Sequence, residues 1–119
     1  MKEFKKLKVW QHGIEVVVDV YRSSQEFPKE EIYGLTSQMR RAAVSVPSNI
    51  AEGSGRNSDK DFGRFLDISL GSAFELETQL IIANRLEFLP NGKFGELIEK
   101  VQEEQKMISG LQRSIKKED

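Results

Sequence analysis

Between residues 35 and 56 the chain carries two stripes. Leu35, Met39, Ala42, Val46 and Ile50 recur at steps of four and three, the spacing that places side chains on one apolar flank of a helix. Gln38, Arg41, Ser45, Asn49 and Glu52 recur at the same steps and form a separate polar stripe. Pro47 sits inside this helix and removes the hydrogen bond to the Ala43 carbonyl, which predicts a kinked or loosened rod. Ser45, Ser48 or Asn49 is placed to satisfy the freed carbonyl. Gly53-Ser54-Gly55 then ends the helix, with glycine expected to supply a left-handed cap.

The same period predicts four helices, over about 7–25, 32–53, 58–87 and 93–116, and no strand pattern competes. In the first helix Trp10, Ile14, Val17, Val20 or Tyr21, and Ser24 are expected to face inward, although Val16-Val17-Val18 is a β-prone run. Phe27-Pro28-Lys29-Glu30-Glu31 reads as a turn into the second helix. Ser58, with Asp61 three residues on, reads as the cap of the third. That helix is the longest, on the order of 40 Å at 1.5 Å per residue. Phe62, Leu66, Ser69, Ala73, Leu76, Leu80 and Ala83 form its inward stripe. Leu89-Pro90-Asn91-Gly92 reads as a turn. In the fourth helix Phe94, Leu97 or Ile98, Val101, Ile108, Leu111 and Ile115 point inward, with Gln105 as the one polar break. Short links between long amphipathic helices favour antiparallel neighbours, so the expected fold is an all-α, up-down-up-down four-helix bundle forming one domain over residues 1–119. Phe74, Ile81 and Phe88, spaced by seven, make a second apolar set on the third helix. It reads either as a wide core face or as an oligomer interface.

Composition changes this picture little. The 119 residues hold 18 basic and 19 acidic side chains, a net charge of −1, so no global field recruits nucleic acid or an acidic membrane. The absence of cysteine excludes a disulfide framework and a thiolate metal site, as suits a cytoplasmic protein. Gln11, His12, Gly13 and Glu15 interrupt any apolar run behind the basic start, which argues against a signal peptide. No window approaches the roughly 20 apolar residues of a membrane span. The charges do sort along an antiparallel bundle. One end collects Lys2, Lys5, Lys6, Lys8, Arg56, Lys60, Arg64, Arg113, Lys116 and Lys117 against Glu3, Glu52, Asp59, Asp61, Glu118 and Asp119, a local +4 that leaves −5 elsewhere. Clustered Lys and Arg of this kind suit phosphate contacts; they also solvate termini and complement a helix C-terminus.

Little catalytic chemistry is written in the chain. His12 is the single histidine, so the Glu-x-x-His pairs of a di-iron bundle cannot be assembled. No arginine precedes it as in four-helix ribonucleases of the HEPN type, and no nucleophile elbow supports a triad. His12 is expected as a surface or interface side chain near Trp10. Glu96-x-x-Glu99 lacks a matching acidic pair for magnesium, capping accounts for Asp61 beside Glu52 and Asp59, and Gly53-Ser54-Gly55 is too short to cradle a phosphate. The reading is a non-enzyme with no catalytic or metal residues and no cofactor. The polar stripe reads as a hydrogen-bond network that registers helices, as an exposed face, or as a ligand or RNA contact.

The wording Leu7-Lys8-Val9-Trp10-Gln11, Phe27-Pro28-Lys29-Glu30-Glu31-Ile32-Tyr33-Gly34-Leu35-Thr36-Ser37-Gln38, Arg41 through Gly53, and Gly71-Ser72-Ala73-Phe74-Glu75-Leu76-Glu77-Thr78-Gln79-Leu80 resembles the four-helix proteins named for 23S rRNA intervening sequences. The resemblance implies a cytoplasmic bacterial protein that assembles as a homopentamer and whose relatives are in some cases encoded within 23S rRNA gene insertions. It also implies kinship with the basic accessory variability proteins of diversity-generating retroelements, from which this chain departs in its sequence pI of about 5.9. The expected function is an RNA-associated accessory or scaffold protein, with contacts from Arg56, Lys60, Arg64, Lys5, Lys6, Arg113, Lys116 and Lys117. The alternative is an adaptor that recruits a protein partner.

Overall fold

A computed structural model describes residues 3–118, with side chains placed as far as Lys116. Four helices carry the architecture: α1 (Lys8–Ser24), α2 (Leu35–Ser54), α3 (Asp59–Arg85) and α4 (Asn91–Glu118). Single 3-10 turns at Phe4–Lys6 and Lys29–Glu31 precede α1 and α2. Neighbours in sequence pack antiparallel, and α1 also packs on α4, closing a rod of 46 × 24 × 20 Å. No helix among the described residues is long and apolar enough to cross a membrane.

Local chemistry sets the ends of the helices. Ser58 Oγ accepts the Asp61 N–H at 3.1 Å, so the expected cap of α3 is present. The second helix starts later than residue 32, because Glu31 Oε1 accepts the Leu35 N–H at 3.1 Å and Gly34 has non-helical angles. At the end of α3 the left-handed residue is Glu87, with φ 65°. The Phe88 N–H returns to the Ala83 carbonyl at 2.9 Å, and Asn84 Nδ2 donates to the Leu89 carbonyl at 2.9 Å. Asn91 and Gly92, expected in a turn, instead open α4, which starts directly after Pro90. The second helix ends without a left-handed glycine, since Gly55 has φ −86°. Gly53 serves close packing: a Cβ there would lie 2.6 Å from Phe65 Cβ and 3.0 Å from Phe62 Cδ1. The helix runs on through Pro47, and Asn49 Nδ2 donates to the Ser45 carbonyl at 2.8 Å.

The predicted stripes of α2 and α3 are inward, with Met39, Ala42, Val46, Ile50, Phe62, Leu66, Ala73, Leu76, Leu80 and Ala83 buried. Each large side chain removed from water in this way stabilises the fold by about 1.5–3 kcal/mol. The first helix differs from expectation in its N-terminal half. Its buried residues are Val9, Gly13, Val16, Val20 and Ser24, while Ile14 and Tyr21 face outward. The reason is Gly13, where a Cβ would stand 3.4 Å from Pro47 Cβ and 2.9 Å from Glu104 Oε2. The glycine lets α1 press against both neighbours; Val20 and Ser24 are buried as expected, while Val9, Gly13 and Val16 take the inward places expected for Trp10, Ile14 and Val17.

The core is divided. One apolar cluster gathers Val16, Val20, Phe27, Met39, Leu76, Leu80, Leu97 and Val101. A second gathers Val9, Val46, Ile50, Phe62, Leu66, Ala73, Ile108 and Ile115. Gly13 on α1 and Glu104 on α4 fall between the two in sequence on their helices.

Candidate functional site

Where the clusters meet, Glu104 is buried at 1 % exposure. Its Oε1 lies 2.8 Å from His12 Nδ1, on a ring that keeps 20 % of its side-chain surface in water. Its Oε2 has no hydrogen-bond partner among the described residues. Burial disfavours the charged carboxylate and pushes the Glu104 pKa up to about 7; the bond to His12 works against that rise, and the neighbouring Glu103 charge adds to it. Burial therefore favours the protonated form of the Glu104 carboxyl up to about neutrality.

Two expectations bear on this pair. His12, expected as a surface or interface side chain near Trp10, is half-buried and bonded to an interior acid. Gln105 is not the polar break of α4, because it lies half-buried on the flank and donates from Nε2 to Glu77 Oε1 at 2.8 Å. The break is Glu104. The signal was available, since position 104 completes the four-three spacing of Val101, Glu104 and Ile108 on an otherwise apolar flank.

His12 opens onto a groove between α1 and α4, flanked by Asp19, Lys100, Glu103 and Lys106. Lys100 Nζ donates to Asp19 Oδ2, and that bond holds the lysine pKa above its usual range. Glu96 and Glu99 also border this groove, with Glu96 bonded to Lys93 at 3.4 Å. Among the described residues no group of three His, Cys, Asp or Glu side chains is placed to hold a metal ion.

The basic side chains gather only in part. Lys60, Arg64 and Lys116 border one shallow groove, together with Asp59 and Asp67. Arg64 pairs with Asp61 at 3.4 Å, and Arg56 pairs with Glu52 at 3.3 Å while stacking over the Phe65 ring at 4.7 Å. Lys5 and Lys6 are exposed on the turn before α1. Arg113 stands apart, in a hollow with Phe74, Lys106 and Ser109. The Lys117 side chain lies outside the described residues.

The polar stripe of α2 divides as well. Ser45 Oγ lies 2.8 Å from Ser72 Oγ on α3, and Asn49 Nδ2 donates to Ser45 Oγ at 2.9 Å, so its centre is a contact between helices. Gln38, Arg41 and Glu52 are exposed. Phe74, Ile81 and Phe88 do not form one seam. Phe74 is exposed and Ile81 half-buried, whereas Phe88 lies beyond α3 and packs on Phe27, ring centres 5.8 Å apart. Ile68, Ile82 and Leu86 are the other large apolar side chains that α3 and its end leave exposed, a pattern the spacing by seven did not reveal.

Four helices, antiparallel in sequence order, define the class, an all-α protein, and among the described residues its interior carboxyl Glu104 is bonded to the half-buried His12. Residues 5–110 match the family described as 23S rRNA-intervening sequence protein, and the chain belongs to that family. The family is of unknown function, with no known catalytic activity. A crystal structure of a protein with unknown function from the S23 ribosomal protein family of Bacteroides thetaiotaomicron VPI-5482 has the same fold, with a TM-score of 0.82 at 23% identity over 88% of this chain and 95% of that one. No curated protein matches the sequence.

Proposed function

We propose that this protein is a non-enzymatic, cytoplasmic accessory or scaffold protein that associates with structured RNA and works as a homo-oligomer, by resemblance a pentamer. The observation that carries the reading is the grouping of Lys60, Arg64 and Lys116 along one groove where α3 begins and α4 ends. Arg56 and the exposed Lys5 and Lys6 belong to the same basic end. Repetition of this end around an oligomer would raise the local positive potential that one near-neutral chain lacks. The family description, which refers to 23S rRNA, supports RNA as the partner.

The test is anisotropy of a labelled RNA hairpin between 50 and 200 mM salt. Affinity is expected to fall steeply with salt, because each phosphate contact releases counterions. Combined charge reversal at Arg56, Lys60 and Arg64 is expected to abolish binding. Unchanged binding by that variant would overturn the basic-end assignment.

One observation favours a second reading, a protein-binding adaptor. Phe74, Ile68 and Leu86 are each more than half exposed on or beside α3, at 52%, 52% and 54%. Apolar exposure of this kind suits a protein surface better than a phosphate backbone. Oligomer contacts and partner contacts compete for it, and recovery of a cross-linked protein rather than RNA from the host would favour the adaptor.

A further inference from the structure

The pair between α1 and α4 is built differently from the surface ion pairs of this chain. Its carboxyl is interior, one oxygen is tied to His12, and the other faces Gly13, where a Cβ would stand 2.9 Å away. The pair joins residues 92 apart in sequence. We propose that His12 and Glu104 form a proton-operated clamp, fastening α1 to α4 while the pair holds its proton and letting α1 open when the proton leaves.

The mechanism follows from which form the interior tolerates. A neutral carboxyl bonded to His12 carries no buried charge. Once the proton is lost, a carboxylate remains with a single hydrogen bond and one bare oxygen, an arrangement that is costly away from water. Separation of α1 from α4 admits water to that oxygen and relieves the cost. Few nearby groups substitute for the lost proton. On α4, Glu103 adds like charge. On α1, Asp19 is taken by Lys100. From α3, Glu77 is taken by Gln102 and Gln105. From α2, Pro47 packs against Gly13. Lys93, paired with Glu96 at 3.4 Å, and Lys106 also border the outer groove onto which His12 opens.

Opening returns the carboxyl to its ordinary value of 4.5, against about 7 when closed. The closed state therefore binds more protons between those values, so acidification tightens the clamp and neutral or alkaline pH loosens it. Hydrogen exchange of the full chain reads this directly, with α1 amides compared against α2 and α3 amides of the same molecule and corrected for the intrinsic pH dependence of exchange. From pH 7.5 to 5.5 the opening of α1 is expected to fall on the order of tenfold relative to α2 and α3. Glu104→Gln keeps an oxygen for the His12 N–H but removes the carboxyl's titration, and is expected to make the α1 pH response several-fold smaller than in the wild type. Equal α1 protection at both pH values in the wild type would overturn the clamp, and so would a Glu104→Gln variant that titrates like the wild type. The wild-type measurement decides the matter even if the variant fails to fold.

Discussion

Glu104 meets His12 at 2.8 Å in the gap between two apolar clusters, so the rod's interior has a polar waist. Burial of the Glu104 carboxyl is expected to make the stability of the fold depend on pH.

Stability is expected to respond to Glu104 with a definite sign. A carboxyl raised from 4.5 to about 7 contributes its stability fully below pH 4.5 and loses it as pH rises through 7. At about 1.4 kcal/mol per unit, the loss amounts to roughly 3 kcal/mol. Urea unfolding at pH 5 and pH 8 checks this by comparing wild type with Glu104→Gln. The variant is expected to gain on the wild type at pH 8 by roughly 2–3 kcal/mol. An identical difference at both pH values would show that Glu104 does not titrate in this range.

Two glycines are expected to respond in opposite directions to alanine. At Gly53 the new Cβ would meet Phe65 Cβ at 2.6 Å, and a Cβ has no freedom to swing aside. Gly53→Ala is expected to destabilise by about 1–3 kcal/mol. Gly71 lies exposed within α3 with nothing within 4 Å of its would-be Cβ, so Gly71→Ala is expected to stabilise by up to about 1 kcal/mol. Thermal unfolding of the two variants gives both answers.

Loss of the Ser58 cap is expected to cost about 1 kcal/mol in Ser58→Ala, because the Asp61 N–H loses its acceptor. Hydrogen exchange should localise the change to the first turn of α3. Ser58→Asp is expected to restore stability.

The exposed ring of Phe74 tests the oligomer reading without touching the core. Phe74→Glu, at a side chain 52% exposed, is expected to lower the particle mass seen by light scattering while leaving the helical content seen by circular dichroism unchanged. A wild-type protein that is strictly monomeric at micromolar concentration would remove the interface role of Phe74 and Ile81.

The helical period by itself determined that this chain forms helices, and about where. Met39, Val46 and Ile50 on α2, and Phe62, Leu66, Leu76 and Leu80 on α3, face the core as their spacing requires, because a helix fixes which side chains share a flank. The Ser58 cap was legible for the same reason: it is an interaction over three residues. Only the tertiary structure decided which way α1 faces and what its one histidine does. Three consecutive valines make several inward orientations of α1 nearly equal in apolar burial, so the choice falls to Gly13 and its approach to Pro47 and Glu104. The same holds for the basic residues, of which Lys60, Arg64 and Lys116 share a groove while Arg113 is turned to another face. Spacing along one helix carries no information about the rotation of its neighbour, and the partner of a buried charge is fixed by that rotation.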